Sequence, residues 1–147
     1  MFGAPFSMNK KPRLIFDGIC NLCTTAVRVL YLLDREGRVE YVPSQQLSTG
    51  TRRKYGLSEE RLQGQMHLIQ EDDSIAHGST AIADLFELLT PFHLMSGILR
   101  THQAERLYSW IASRRYTLFG CRNTCYVVRP SANNLGRGHS SWFSCLQ

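Results

Sequence analysis

The feature that most constrains this chain is a change of hydrophobic period just after residue 16, with two cysteines placed at the change. Arg13-Leu14-Ile15-Phe16 is a short apolar run that suits a buried strand, and Asp17-Gly18 punctuates it. From Cys20 to Leu33 the apolar residues fall at Leu22, Ala26, Val27, Val29, Leu30 and Leu33, which is helical spacing. Gly37, after Asp34-Arg35-Glu36, supplies the stop. Cys20 and Cys23 therefore sit where a strand gives way to a helix.

That placement has chemical consequences. The first N–H groups of a helix have no intrahelical partner, and the helix dipole is positive there. Both favour a thiolate, so Cys20 is expected to have a lowered pKa and to be nucleophilic. Cys23 lies three residues on, on the same helical face. It can attack a mixed disulfide on Cys20 and release a reduced substrate. Two other readings of the pair stay open. It can be half of a zinc knuckle completed by Cys121 and Cys125, although their Cys-x-x-x-Cys spacing is unusual for one. It can also be a purely structural pair.

Beyond Gly37, Val39, Tyr41 and Pro43 alternate with Arg38 and Glu40 and predict a second strand. Residues 44–64 predict one or two short helices with turns at Gly50 and Gly56. Met66 to Gln70 and Ile75 to His77 predict a third and fourth strand around the acidic turn Glu71-Asp72-Asp73-Ser74. Ser79 is placed to cap a helix whose face carries Ala81, Ile82, Leu85, Phe86 and Leu89, with Pro91 at its end or opening the next segment. Residues 92–119 are helical again, and Leu107, Trp110, Ile111 and Arg114 recur at spacings of three and four. The predicted class is α/β: a thioredoxin-like, mixed four-stranded sheet flanked by helices, with extra C-terminal helices. Residues 1–12 form a lead-in, 13–129 the domain, and 130–147, which hold Asn133-Asn134, Gly136 and Gly138, a flexible tail.

At 147 residues, 43% hydrophobic and 20% charged, one such domain can bury enough surface to fold without metal or disulfide staples. Five cysteines, Cys20, Cys23, Cys121, Cys125 and Cys145, are an odd set for a disulfide framework. The N-terminal stretch lacks an apolar signal region, and no apolar run approaches the ~20 residues of a membrane span. A reducing compartment is expected, the cytoplasm, where a Cys-x-x-Cys pair is catalytic or metal-binding more often than structural. The net charge of +5 is uneven: residues 91–147 hold seven arginines against Glu105 alone. Such a segment can attract nucleic acid or an anionic surface, but these arginines are dispersed and no nucleic-acid motif accompanies them. They read as a solvated helix face.

The string Asp17-Gly18-Ile19-Cys20-Asn21-Leu22-Cys23, after an apolar strand, resembles the DCC family of thiol-disulfide oxidoreductases, named for its Asp-x-x-Cys-x-x-Cys motif. Met66-His67-Leu68-Ile69 and Gly78-Ser79-Thr80-Ala81 are similar to that family's middle section. Tyr108-Ser109-Trp110-Ile111-Ala112 and Arg115-Tyr116-x-Leu118-Phe119-Gly120 are similar to its C-terminal signature. The likeness covers about residues 13–129. It implies a thioredoxin-like fold and a redox role, without naming a substrate. Thioredoxins carry a cis-proline just before the third strand; here Gln63-Gly64-Gln65-Met66 has none, so an ordinary trans peptide is expected. Substrate docking along that backbone edge is not carried over.

The resulting expectation is a thiol-disulfide oxidoreductase with Cys20 as attacking thiolate and Cys23 as resolving thiol. It needs no cofactor and no metal, and acts on a protein disulfide or a low-molecular-weight thiol, not on nucleic acid or membrane. Asp17 joins the site as a proton relay to Cys23 if burial raises its pKa; the alternative is an ordinary Asx turn. Cys125 reads as a small core cysteine or as a partner of the active site or of Cys121. His67 and His77 face each other only if the hairpin register allows. Tyr108, Trp110 and Tyr116 read as core. Arg114 and Arg115 read as a solvated helix end, or as a holder of an anionic substrate group.

Overall fold

The computed structural model describes residues 10–89 and 93–121, together with the backbone of two short strands, Cys125–Tyr126 and Trp142–Phe143. The first strand, β1 (Arg13–Phe16), leads into helix α1 (Asn21–Leu33) and then strand β2 (Glu40–Pro43). A 3-10 turn (Ser44–Gln46) and helices α2 (Thr49–Lys54) and α3 (Glu59–Gly64) follow. Strands β3 (His67–Ile69) and β4 (Ile75–His77) form a hairpin that runs directly into α4 (Gly78–Leu88). Helices α5 (His93–Leu99) and α6 (His102–Phe119) come next. The final pair is β5 (Cys125–Tyr126) and β6 (Trp142–Phe143), antiparallel to each other. Strand β6 falls within the segment read as a tail, whose other residues lie outside the described ones, as does Pro91.

The sheet order is β2-β1-β3-β4, with β1 parallel to β2 and antiparallel to β3, and β3 antiparallel to β4. This mixed sheet with flanking helices is the α/β, thioredoxin-like arrangement. Strand β1 lies inside the sheet, and Leu14, Ile15 and Phe16 are all buried, which is why they run on as apolar residues rather than alternating. Leu14 and Phe16 point into one core with Val27 and Leu30 of α1, Leu68, and Ala81 and Leu85 of α4. Ile15 points the other way, into a smaller core with Leu47, Leu57, Leu62 and Ile69. Full burial of each such aliphatic side chain stabilises the fold by roughly 1.5–3 kcal/mol.

Local chemistry sets the element ends. Helix α1 stops at Leu33, and Asp34 takes the N–H groups of Arg38 at 2.8 Å and Val39 at 3.0 Å, which turns the chain through Gly37 into β2. Gly50 lies inside the first turn of α2 rather than in a turn between elements, whereas Gly56, at φ +61°, does turn the chain. Ser79 is not the cap of α4. The helix starts at Gly78, and its free N-terminal donors are met from another element: Glu105 of α6 accepts from the Ser79 N–H at 3.1 Å and from the Ser79 hydroxyl. A carboxylate at that position also suits the positive end of the helix dipole.

Helix α6 departs most from its sequence reading. Trp110 and Tyr116, read as core, are 49% and 38% exposed, and Leu107, which shares Trp110's spacing, is 58% exposed. The inward stripe is instead Ala104, Tyr108, Ile111 and Arg115, the last fully buried. Half of that stripe is polar, and both polar groups find partners in the domain. The Tyr108 hydroxyl accepts from the Met66 N–H at 2.8 Å, and burial pushes its own pKa up to about 12. The Met66 carbonyl accepts from Gly78 N–H at 3.0 Å, so the backbone edge before β3 is engaged within the chain.

Candidate active site

Cys20 is the N-cap of α1, in extended conformation, and its sulfur accepts the Cys23 N–H at 3.4 Å. The strand-to-helix junction brings it there: Asp17 C=O accepts the Cys20 N–H at 3.3 Å, and Cys20 C=O accepts the Thr24 N–H at 3.0 Å to open the helix. Both cysteines are buried. The Cys20 pKa is lowered from the usual 9.0 to about 6. The main cause is the hydrogen bond from the Cys23 side chain, helped by the Cys23 N–H and by the Arg115 charge, against the opposing effect of burial. Cys23 is pushed upward, because it shares that hydrogen bond as the protonated partner and because it is buried; Arg115 opposes the shift. One sulfur of the pair thus holds the charge and the other the proton.

Asp17 is 1% exposed and is saturated with donors. One carboxylate oxygen accepts from Ile19 N–H at 3.1 Å, which is the Asx turn, and from the Gln45 amide at 2.8 Å. The other accepts from the Arg115 guanidinium at 3.4 Å and from the Tyr116 hydroxyl. Arg115, 2% exposed, also donates to the Cys23 sulfur at 3.4 Å. The structure therefore brings Asp17, Cys20 and Cys23 into one cluster, with Arg115 between the carboxylate and the Cys23 sulfur.

Arg115 joins the cluster although the sequence reads it, with Arg114, as a solvated helix end or a holder of an anionic substrate group; Arg114 does lie exposed, 5.2 Å over the Trp110 ring. The sequence signal is indirect: a carboxylate taken into the interior calls for a cation or several donors, and an inward-turned arginine is one way to supply them. The sequence distance of 98 residues hid which one.

Cys121 is also close. The end of α6 lies across the start of α1: the Asn21 side chain donates to Phe119 C=O at 2.8 Å, the Asn21 N–H donates to Gly120 C=O at 3.4 Å, and Cys20 pairs with Cys121 in an antiparallel bridge. Gly120 permits this crossing. It sits at φ +73°, ψ 176°, a region open essentially to glycine alone. Cys121 is a free, exposed thiol. The Cys125 side chain lies outside the described residues, and among those no group of three or more His, Cys, Asp or Glu is arranged to hold a metal ion. His67 and His77 are register partners, as the hairpin required, with ring nitrogens 2.6 Å apart. They belong to the sheet rather than to the cysteine cluster.

Comparison with known proteins points the same way as this geometry. A family model described as DCC1-like thiol-disulfide oxidoreductase matches residues 14–121. "Uncharacterized protein YuxK" of Bacillus subtilis (strain 168) is 34% identical over 123 residues, covering 80% of this chain and 88% of that protein. "DCC family protein At1g52590, chloroplastic" of Arabidopsis thaliana is 25% identical over 82% of this chain and 72% of its own length. No solved structure matches the chain. Among the described residues, no helix is long and apolar enough to cross a membrane.

Proposed function

The chain belongs to the DCC1-like thiol-disulfide oxidoreductase family, and from that premise we propose that it exchanges a Cys20–Cys23 dithiol or disulfide with a protein disulfide or a low-molecular-weight thiol. The observation that carries this reading is the division of labour in the pair. Cys20 caps α1 and accepts the Cys23 N–H, while Cys23 is buried and bonded by Arg115. The Cys20 thiolate attacks a disulfide sulfur, one substrate sulfur leaves as thiolate, and a mixed disulfide forms on Cys20. Cys23 then attacks Cys20, its own sulfur gives up a proton, and the second substrate sulfur leaves. The pair loses two electrons and the substrate gains them, so no cofactor is called for.

Arg115 serves the second half of this sequence. Once Cys20 is in a mixed disulfide its charge is gone, and the guanidinium on Cys23 favours the thiolate that must form there. Asp17 holds Arg115 in position and so acts on Cys23 through it, as a positioning residue. The domain spans residues 13–129 in this reading. A cytoplasmic setting fits, because its thiol pool can turn the pair over; neither nucleic acid nor membrane takes part.

Equilibration of the full chain in buffers of reduced and oxidised glutathione tests the proposal. Mass spectrometry should find a reversible Cys20–Cys23 disulfide, lost in Cys20→Ser. Thiolate absorbance of the reduced protein should titrate near pH 6. A midpoint at the ordinary cysteine value, or no Cys20–Cys23 disulfide at any buffer ratio, would sink the reading.

A further inference from the structure

The active pair poses an access problem. Cys20 is 0% exposed, and the end of α6 lies over it. The one cysteine exposed among the described residues is the residue paired with it. We propose that Cys121 is the entry thiol of this site: it takes a disulfide from an external substrate and passes it across the antiparallel bridge to buried Cys20.

The bridge geometry carries this. The Asn21 N–H to Gly120 C=O bond lies one residue beyond each partner, so Cys20 and Cys121 form a non-hydrogen-bonded antiparallel pair. Residues so paired have Cα atoms about 4.5 Å apart, with their side chains at closest approach. A disulfide spans Cα separations of about 4.4–6.8 Å, so this pair can be linked with little movement of backbone. The Gly120 conformation and the two Asn21 bonds fix the register that sets cysteine opposite cysteine.

The relay rests on the Cys20–Cys23 exchange proposed above, puts Cys121 in place of Cys20 as the thiol that meets the external disulfide, and balances as follows. The Cys121 thiolate attacks an external disulfide, one substrate sulfur leaves as thiolate, and a mixed disulfide forms on Cys121. The Cys20 thiolate attacks the Cys121 sulfur, the second substrate thiolate leaves, and a Cys20–Cys121 bond forms. Cys23, losing its proton, attacks Cys20, and Cys121 leaves as thiolate. The external disulfide has gained two electrons and Cys20–Cys23 has lost them. In reverse, the same steps reduce the oxidised pair with an external thiol.

Oxidised glutathione added to the reduced full chain, with acid quenching and peptide mapping, tests the relay. Trypsin leaves Cys20 and Cys23 on residues 14–28 and Cys121 on residues 116–122, so a cross-link between those peptides is diagnostic. Cys23→Ser should accumulate a Cys20–Cys121 disulfide. Cys121→Ser, and independently Cys121→Ala, should form the Cys20–Cys23 disulfide at least about tenfold more slowly than the wild type while reaching the same equilibrium. A wild-type rate in both variants, or Cys23→Ser carrying glutathione on Cys20 beside a free Cys121, would overturn the relay and leave the exchange reading standing. Failure of every form, wild type included, to make a Cys20–Cys23 disulfide would remove both.

Discussion

Arg115 carries three interactions on one guanidinium: an ion pair to Asp17, a hydrogen bond to the Cys23 sulfur, and a bond to the Tyr116 hydroxyl at 3.4 Å. A buried pair of this kind is strongly missed when one partner goes, since the other charge is left without compensation. We expect Arg115→Met to lower stability by about 3–5 kcal/mol, as read by urea denaturation. Arg115→Met with Asp17→Asn should cost less than the sum of the single changes, because neither charge is then stranded. Chemistry should move as well. Loss of the guanidinium raises the Cys20 pKa above about 6, so alkylation at Cys20, followed by peptide mapping to separate it from exposed Cys121, slows near that pH. The linked stability has a definite sign. A thiol whose folded value is lowered stabilises the reduced fold above its unfolded value of 9.0, and that gain is lost as pH falls through about 6. An Arg115→Met protein with an unchanged Cys20 titration and an unchanged rate of Cys20–Cys23 disulfide closure would show that the arginine is purely structural.

The elements differ in how plainly their sequence announces them. Strand β1 and helix α1 follow from the change of period, and the hairpin β3–β4 from its acidic turn, because those signals are local. Helix α6 misleads because half its inward stripe is Tyr108 and Arg115, whose partners Met66, Asp17 and Cys23 lie in other elements. A hydrophobic count cannot phase a helix that is held by polar contacts. The His67–His77 pair is the counterpart in the sheet: the hairpin predicts that the two can meet, but not their state. The Arg61 carbonyl can only accept, so the His67 Nε2–H donates to it at 3.0 Å. With His67 neutral, its Nδ1 accepts from the His77 Nδ1–H, and the contact excludes protonation of both rings at once. Burial lowers both pKa values from 6.5. The unfolded chain therefore takes up protons that the fold refuses. Stability is full above pH 6.5 and falls as pH drops through that value toward the lower folded ones. Urea midpoints at closely spaced pH values, with NMR titration of the imidazole rings, check this; a His67 ring that protonates at or above 6.5 contradicts it.

At the scale of the whole molecule, the uneven charge of the sequence is partly settled within the fold. Residues 91–147 carry a net +6 and the rest of the chain a net −1. Two of the arginines from that basic third reach back to carboxylates of the first ninety residues. Arg115 pairs with Asp17 in the interior, and Arg100 pairs with Asp84 at 2.5 Å and Glu87 at 2.6 Å. Arg114 lies over Trp110. A nucleic-acid surface needs several cations free to displace counterions from phosphates, and its affinity then falls steeply with salt. Three of those cations among the described residues, Arg115, Arg100 and Arg114, are held in the interior, in ion pairs and against an aromatic ring. We expect weak association with duplex DNA or single-stranded RNA at low salt, followed by fluorescence anisotropy, and none at ~150 mM, where charges beyond about 8 Å are screened. Submicromolar binding at ~150 mM salt, abolished by Arg106→Ala with Arg114→Ala, would make the basic third a working surface. The cysteine pair would then serve to switch it rather than to process a disulfide.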